Sequence, residues 1–102
     1  MSVVQEISND GMTVQINVNG RFDYRLSQQF RTAYRQIPDH DGVTFHVDLR
    51  NASYIDSSAL GMMLLLREYA KCKGGSVVID SPSEQIEKIL KVANFEQLFI
   101  IN

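Results

Sequence analysis

The architecture of this chain can be predicted from residues 43–80, VTFHVDLRNASYIDSSALGMMLLLREYAKCKGGSVVID. Apolar and polar side chains alternate over 43–49, and this period of two predicts a strand with one buried face. Residues 58–73 predict a helix that two glycines close, and the apolar run 77–79 predicts a short strand. Because strand–helix–strand connections are right-handed, these two strands are expected to run parallel in one sheet.

The flanking segments extend this alternation of strands and helices in both directions. Ahead of residue 43, the turn Asn9-Asp10-Gly11 predicts a hairpin, and Pro38 ends a helix that Ser27 is expected to cap. After residue 80, the segment Ser81-Pro82-Ser83-Glu84 combines a capping serine, a proline at the first helical position and an acid at the third. The predicted strands are 3–8, 12–19, 43–49, 77–79 and 98–101, and the predicted helices are 26–37, 58–73 and 86–93.

This order of elements predicts an α/β protein that forms a single domain over residues 1–102. The first two strands form an antiparallel hairpin and the later strands are parallel, which gives a mixed five-stranded sheet. Strands 12–19 and 43–49 both keep a polar face, so helices are expected mainly on one face of the sheet. The segment Gly20-Arg21-Phe22-Asp23 is expected to leave the sheet after the second strand.

Composition and charge restrict the function classes. The chain has 102 residues, of which 44% are hydrophobic and 22% charged, and a formal net charge of −2 at pH 7, all ordinary for a globular domain. So little positive charge argues against nucleic-acid binding, which needs clustered lysine and arginine. No apolar run approaches the ~20 residues of a membrane-spanning helix. The single cysteine, Cys72, fits a reducing compartment. We therefore expect a cytoplasmic protein without a nucleic-acid or membrane partner.

The segment Ile55-Asp56-Ser57-Ser58-Ala59-Leu60-Gly61 leads into the most apolar helix of the chain. Aspartate and serine are among the commonest residues at a helix start, because their side chains accept hydrogen bonds from the free N–H groups of the first turn. The residue types alone therefore favour capping roles for Asp56, Ser57 and Ser58.

The same segment resembles the Asp-Ser-(Ser/Thr)-Gly-Leu-Gly signature of the sulfate transporter and anti-sigma factor antagonist (STAS) family. A second match is Gly20-Arg21-Phe22-Asp23, which is similar to the family's Gly-x-hydrophobic-Asp turn after its second strand. The predicted order of elements is similar over nearly the whole chain. Two departures are Ala59, where the family usually has glycine, and the end of the sequence at Asn102, after which many relatives have a further helix.

The resemblance implies a stand-alone bacterial anti-sigma factor antagonist, which is a protein-interaction module and not an enzyme. In such relatives, a partner serine kinase phosphorylates the serine directly after the aspartate. That position is Ser57 here, with Ser58 as the alternative acceptor. The unphosphorylated form binds the kinase, which is often also the anti-sigma factor, and so frees a sigma factor. A metal-dependent serine phosphatase reverses the modification, and no cofactor is implied.

The electrostatics of a helix start fit a switch at Ser57. A phosphoserine adds roughly −1.5 to −2 charges at neutral pH, and a helix N-terminus offers N–H donors and a partial positive charge to receive them. Asp56, and Asp23 if the fold brings it close, are expected to form an acidic rim that contacts the partner, so that phosphate raises the local negative potential. The alternatives are that Asp56 is only a cap, that Asp23 bonds its own backbone in a turn, and that Ser58 points elsewhere.

The helix 58–73 separates a core face from a partner face when its residues are placed at 100° steps. Leu60 and Leu64 fall one turn apart on the face that should be wet, with Gly61 beside them and Arg67 or Lys71 at the far end. Together with Ser58, these residues are expected to contact the partner; the alternative is a rotated helix in which both leucines belong to the core. The residues expected to face the sheet are Ala59, Met62, Met63, Leu66, Tyr69 and Ala70.

Two other function classes remain. A ligand-sensing module on the same fold would bind a nucleotide, lipid or small anion at the same helix N-terminus, and basic or aromatic residues around Ser57 would favour it. An enzyme would need a base for a nucleophilic serine, for which His40 and His46 are the candidates. The sequence has no Gly-x-Ser-x-Gly motif and no phosphate-binding glycine loop. No metal is expected, because the adjacent ligands Asp39, His40 and Asp41 cannot easily share one coordination geometry.

Overall fold

The computed structural model describes residues 1–38 and 40–102, so Asp39 of the turn considered above lies outside the described residues. The strands are β1 Ser2–Ile7, β2 Thr13–Phe22, β3 Thr44–Asp48, β4 Ala52–Ile55, β5 Ser76–Asp80 and β6 Ile100–Ile101, and the helices are α1 Ser27–Arg35, α2 Ser57–Cys72 and α3 Glu84–Val92. Five strands follow one another in the sheet in the order β1-β2-β3-β5-β6, with β1 antiparallel to β2 and all other neighbours parallel. This confirms the predicted mixed sheet.

A sixth strand, β4, was not predicted, and it changes the course of β2. The first half of β2 pairs with β3, whereas its last residues, from Gly20 to Phe22, pair with β4 in parallel. The register shifts after Gly20, whose φ of +84° is a conformation that favours glycine. The expectation that this segment leaves the sheet was therefore wrong. Because β2 exchanges one partner for another, it runs on to the loop that carries Asp23.

The three helices cover one face of the sheet, as predicted. Alternate residues of β2 and β3 point into a single core together with one side of each helix. The largest fully buried side chains of this core are Phe22, Phe30, Phe45, Ile16, Leu26, Leu49, Met63, Leu66, Ile79, Leu90, Val14 and Val18. The opposite face of the sheet is polar: His46 Nδ1 lies 2.8 Å from Asp80 Oδ2, and Gln15 donates to Asn17 over 2.9 Å. A sheet with one apolar face needs only one layer of helices.

The ends of the helices agree with the predicted positions to within a few residues, but two caps differ. Ser83 and not Ser81 caps α3, since its hydroxyl accepts from the N–H of Ile86 over 3.2 Å. Ser27 is not a side-chain cap, because a 3₁₀ turn over Tyr24–Leu26 precedes α1. Gly74, with a φ of +71°, ends α2 as expected. Of the helices in the described ranges, none has the length and apolar character needed to cross a membrane.

Candidate functional site

Two loops meet where β2 and β4 end, and they carry the residues that the sequence singled out. Phe22 of β2 lies opposite Ile55 of β4 in the parallel register. Asp23 follows the first of these residues and Asp56 follows the second, so both aspartates leave the carboxyl ends of neighbouring strands. The fold thus brings the two loops together, as the sequence analysis required for a shared site.

Asp56 is the N-cap of α2. Its backbone is extended, and its Oδ1 accepts a hydrogen bond from the N–H of Ala59 over 3.1 Å, while its carbonyl accepts from the N–H of Leu60 over 3.1 Å. Ser57 is therefore the first residue of the helix and is exposed, whereas Ser58 is half-buried. Because N–H groups in the first turn of a helix have no intrahelical partner, the Ser57 hydroxyl lies at the positive end of the α2 dipole.

Asp23 is not part of an open acidic rim, which corrects the expectation from sequence. It is only 4% exposed, and Arg25 holds it through Nε to Oδ1 at 3.1 Å and Nη2 to Oδ2 at 2.8 Å. Arg21 adds a longer ion pair, with Nε 3.6 Å from Oδ2. The hydrogen bonds from the Arg25 side chain lower the pKa of this carboxyl to about 2. Asp23 also accepts from the N–H of Arg25 over 3.0 Å and so caps the 3₁₀ turn.

The two arginines, Arg21 and Arg25, are the part of the site that sequence reasoning missed. Arg21 lies opposite Tyr54 across the β2–β4 pair, and its guanidinium carbon is 4.0 Å from the centroid of that ring. Asp23 thus stands beside two guanidiniums, Arg21 and Arg25, while Asp56 follows the end of the neighbouring strand. The formal charges that these four residues bring to the two loops sum to zero, so the loops are not acidic overall. The sequence indicates the contacts of the arginines only by an arginine two positions before Asp23 and another two positions after it.

The outer face of α2 carries the residues predicted to contact a partner. Leu60 is half-buried against the edge of the core, and Leu64 is 37% exposed, so the α2 rotation that would bury both leucines in the core is not found. Gly61 is half-buried, and a Cβ built on it meets no atom within 4 Å. Arg67 is partly tied down, because its Nε donates to the carbonyl of Leu98 over 3.0 Å. Lys71 is exposed at the far end.

A shallow apolar groove between α2 and α3 adjoins this face. Leu60 forms one side of it, and Lys88, Ile89, Val92 and Ala93 of α3 form the other. Ile89 is 39% exposed and Val92 is 87% exposed. We call this surface, formed by Leu60, Leu64, Ile89 and Val92, the α2–α3 strip.

Among the described residues, the two histidines are not hydrogen-bonded to Ser57, and the possible metal ligands are not gathered in groups of three or more. In that part of the chain, neither His40 nor His46 forms a hydrogen bond with Ser57, and His46 is bonded to Asp80 on the polar face of the sheet. Within residues 1–38 and 40–102, no group of three or more histidine, cysteine, aspartate or glutamate side chains could hold a metal ion. The Ser57 hydroxyl itself lies exposed at the first residue of α2.

The fold and the site together define an α/β domain in which one layer of helices covers a mixed sheet and an exposed serine follows the N-cap of α2. Comparison with known proteins identifies the family. Residues 6–101 match the family described as Mlab, STAS domain, and the chain therefore belongs to the STAS domain family. This confirms the resemblance inferred from the helix-start motif.

Individual relatives agree with this assignment. The chain is 43% identical over 105 residues to a STAS-domain containing protein of Pseudomonas aeruginosa (strain UCBPP-PA14), with 100% of both chains covered. It is 21% identical over 102 residues to the anti-sigma-B factor antagonist of Bacillus subtilis (strain 168), covering 100% of this chain and 93% of the relative. The fold is similar to that of the anti-sigma factor antagonist SpoIIAA in its unphosphorylated form, with a TM-score of 0.72, 19% identity and coverage of 99% and 87% of the two chains. A structure of SpoIIAA from Bacillus in the phosphorylated form matches with a TM-score of 0.68 and 19% identity, covering 99% and 91% of the two chains.

Proposed function

We propose that this protein is an anti-sigma factor antagonist that is switched by phosphorylation of Ser57. The unphosphorylated protein binds a serine kinase that acts as, or controls, an anti-sigma factor, and phosphorylation releases it. A metal-dependent serine phosphatase restores the binding form, and the exchange takes place in the cytoplasm. The observation that carries the proposal is the position of Ser57, exposed at the first residue of α2 directly after its Asp56 cap.

The site supports a switch in which charge changes and the fold does not. Asp56 engages the N–H of Ala59, so the Ser57 side chain takes no part in the cap that holds the helix. A phosphate there adds roughly −1.5 to −2 charges beside two loops in which the formal charges of Asp23, Asp56, Arg21 and Arg25 sum to zero. The modified surface becomes negative, and a partner that matches the neutral surface is rejected.

The partner surface of this proposal joins the helix start to the α2–α3 strip. Leu60 and Leu64 lie one and two turns along α2 from the switch serine, and Gly61 leaves room for close approach of a partner backbone. Ser58 and Arg67 border the strip. Asp23 acts here through the arginines that it holds and not through its own buried carboxylate.

The test uses the protein, its cognate kinase and mass spectrometry. Wild-type protein and Ser58→Ala should gain one phosphate on Ser57, and Ser57→Ala should gain none. Ser57→Asp should lose kinase binding while it keeps the wild-type melting temperature, because the added charge meets the helix N-terminus. Labelling on Ser58 alone, or an undiminished signal from Ser57→Ala, would refute the assignment.

A second candidate function is binding of a small anion at the same helix N-terminus, and the two arginines with Tyr54 are the observation that favours it. Both guanidiniums already serve Asp23, so an anion would compete with a buried carboxylate for them. Calorimetric titration with phosphate and with a nucleoside triphosphate separates the two functions. Saturable binding that Arg25→Ala removes would support the ligand-sensing function.

A further inference from the structure

A larger groove lies between α1 and α2, and its lining does not include Ser57. The groove is open to solvent and has a volume of about 780 Å³, within the range typical of small-molecule sites. Phe30, Tyr34 and Met62 form an apolar floor and are at least nine-tenths buried. Leu65 stands on the rim and is 64% exposed, which is a large apolar exposure that the core does not explain.

The α1 rim of this groove is cationic. Arg31 and Arg35 lie four residues apart in α1, so they are neighbours on one face of the helix, and both line the groove. Among the residues that the structure describes, neither guanidinium pairs with a carboxylate. The guanidinium of Arg35 lies 5.4 Å from the ring centroid of Tyr69, which keeps it at the mouth of the groove. On the α2 rim, Glu68 forms an ion pair with Arg67, in which Oε1 of Glu68 lies 3.7 Å from Nη1 of Arg67.

We propose that the α1–α2 groove binds an amphipathic organic anion, with an alkyl chain on the apolar floor and a carboxylate or phosphate head between Arg31 and Arg35. Two neighbouring guanidiniums without an acidic partner match a single anionic head. A second copy of the chain is a less suitable occupant, because symmetric docking of two grooves would place the arginines of one copy opposite those of the other. The helix α1 has nine residues and is therefore ~13 Å long, which suits a medium-length alkyl chain better than a long docked helix.

Titration with sodium dodecanoate below its micelle concentration, followed by amide NMR and calorimetry, tests this site in the full chain. We expect saturable one-to-one binding, with the shifts confined to α1 and α2. The double variant Arg31→Ala/Arg35→Ala should bind at least about tenfold more weakly, because charge-assisted hydrogen bonds are the stronger ones. Dodecyl phosphate in place of dodecanoate shows whether the head is a phosphate or a carboxylate.

Matched controls keep the proposal falsifiable. Arg50→Ala/Lys91→Ala removes the same charge elsewhere and should bind dodecanoate as the wild type does. Ser57→Ala should also bind normally, so the result is independent of the proposed phosphorylation. Any of three results would overturn the proposal: dodecyltrimethylammonium binds as tightly as dodecanoate, the two double variants weaken dodecanoate binding equally, or dodecanoate binding does not saturate. The proposal would also be overturned if the Arg31 and Arg35 substitutions changed self-association or abolished kinase binding but left the affinity for dodecanoate unchanged.

Discussion

Leu64 and Leu66 lie two residues apart in α2 but differ completely in burial, which makes them a matched pair for testing the partner surface. Leu64 is 37% exposed on the α2–α3 strip, whereas Leu66 is fully buried among the core residues. The same substitution, leucine to alanine, therefore removes the same atoms from a proposed docking surface in one case and from the core in the other. Stability and affinity should respond in opposite ways.

The magnitudes follow from the burial of each side chain. Leu66→Ala should cost about 2–5 kcal/mol, which combines the lost transfer free energy with the cavity left behind. In a domain of this size that is a fall of at least about 8 °C in melting temperature. Leu64→Ala removes a side chain that is about one third exposed to water, so it should cost about 1–2 kcal/mol, less than the core substitution.

The assay measures both quantities on both variants. Thermal unfolding gives the stability, and calorimetry with the unphosphorylated protein and its kinase gives the affinity. Leu64→Ala should weaken kinase binding by at least about tenfold, or 1.4 kcal/mol, as expected of a central apolar contact. Leu66→Ala should bind almost normally at a temperature where it is folded. The reasoning fails if Leu64→Ala melts far below the wild type and binds the kinase unchanged.

Three further predictions concern the helix ends and the buried acid. Asp56→Ala should lower the unfolding free energy by about 0.5–2 kcal/mol through loss of the cap, whereas Asp56→Asn should stay near the wild type; chemical denaturation compares them. Gly75→Ala should destabilise the protein, because its Cβ would lie 2.1 Å from the carbonyl oxygen of Val43. Gly61→Ala should instead stabilise it by about 0.5–1 kcal/mol, since the added methyl meets open space, and the melting temperatures of the two variants test this contrast. The pKa of Asp23 is lowered from 3.8 to about 2, so its contribution to stability is present above pH 3.8 and is lost as the pH falls toward 2. The difference in unfolding free energy between wild type and Asp23→Asn should therefore shrink over that interval, and a constant difference would contradict the role of the ion pair.

The main strands and helices could be predicted because their apolar residues recur with the period of a strand or of a helix. The alternation over 43–49 and the apolar side of residues 58–73 are local patterns, and the structure has β3 and α2 at those places. The short strand β4 could not be predicted, because its residues Ala52–Ile55 show the burial pattern of two exposed residues between two buried ones. That pattern lacks the alternation of a strand with one buried face, and two buried residues three positions apart match the spacing of a helix instead.

The charge state of the site could not be predicted for a different reason. Asp23 and Asp56 were identified as neighbours, but whether an acidic residue is bare or neutralised depends on tertiary contacts. The register of β2 against β4 sets Arg21 over Tyr54, and the 3₁₀ turn after Asp23 folds Arg25 back onto its carboxylate. An arginine lies two positions before Asp23 and another two positions after it, but this spacing alone does not establish either contact. The sequence therefore predicted an acidic rim, whereas the formal charges of the two loops sum to zero.

This balance has a consequence for how a phosphate on Ser57 would act under the proposed function. Against an acidic rim, the phosphate would only deepen a potential that was already negative, and the partner would have to tolerate negative charge in the binding form. Against a balanced rim, the same −1.5 to −2 charges change the surface from neutral to negative. A partner surface that is neutral or weakly acidic then discriminates more sharply between the two forms. Arg25→Ala should therefore weaken the discrimination between wild type and Ser57→Asp, because it makes the unmodified surface acidic as well. Equal discrimination ratios in the two backgrounds, measured by calorimetry with the kinase, would refute this account.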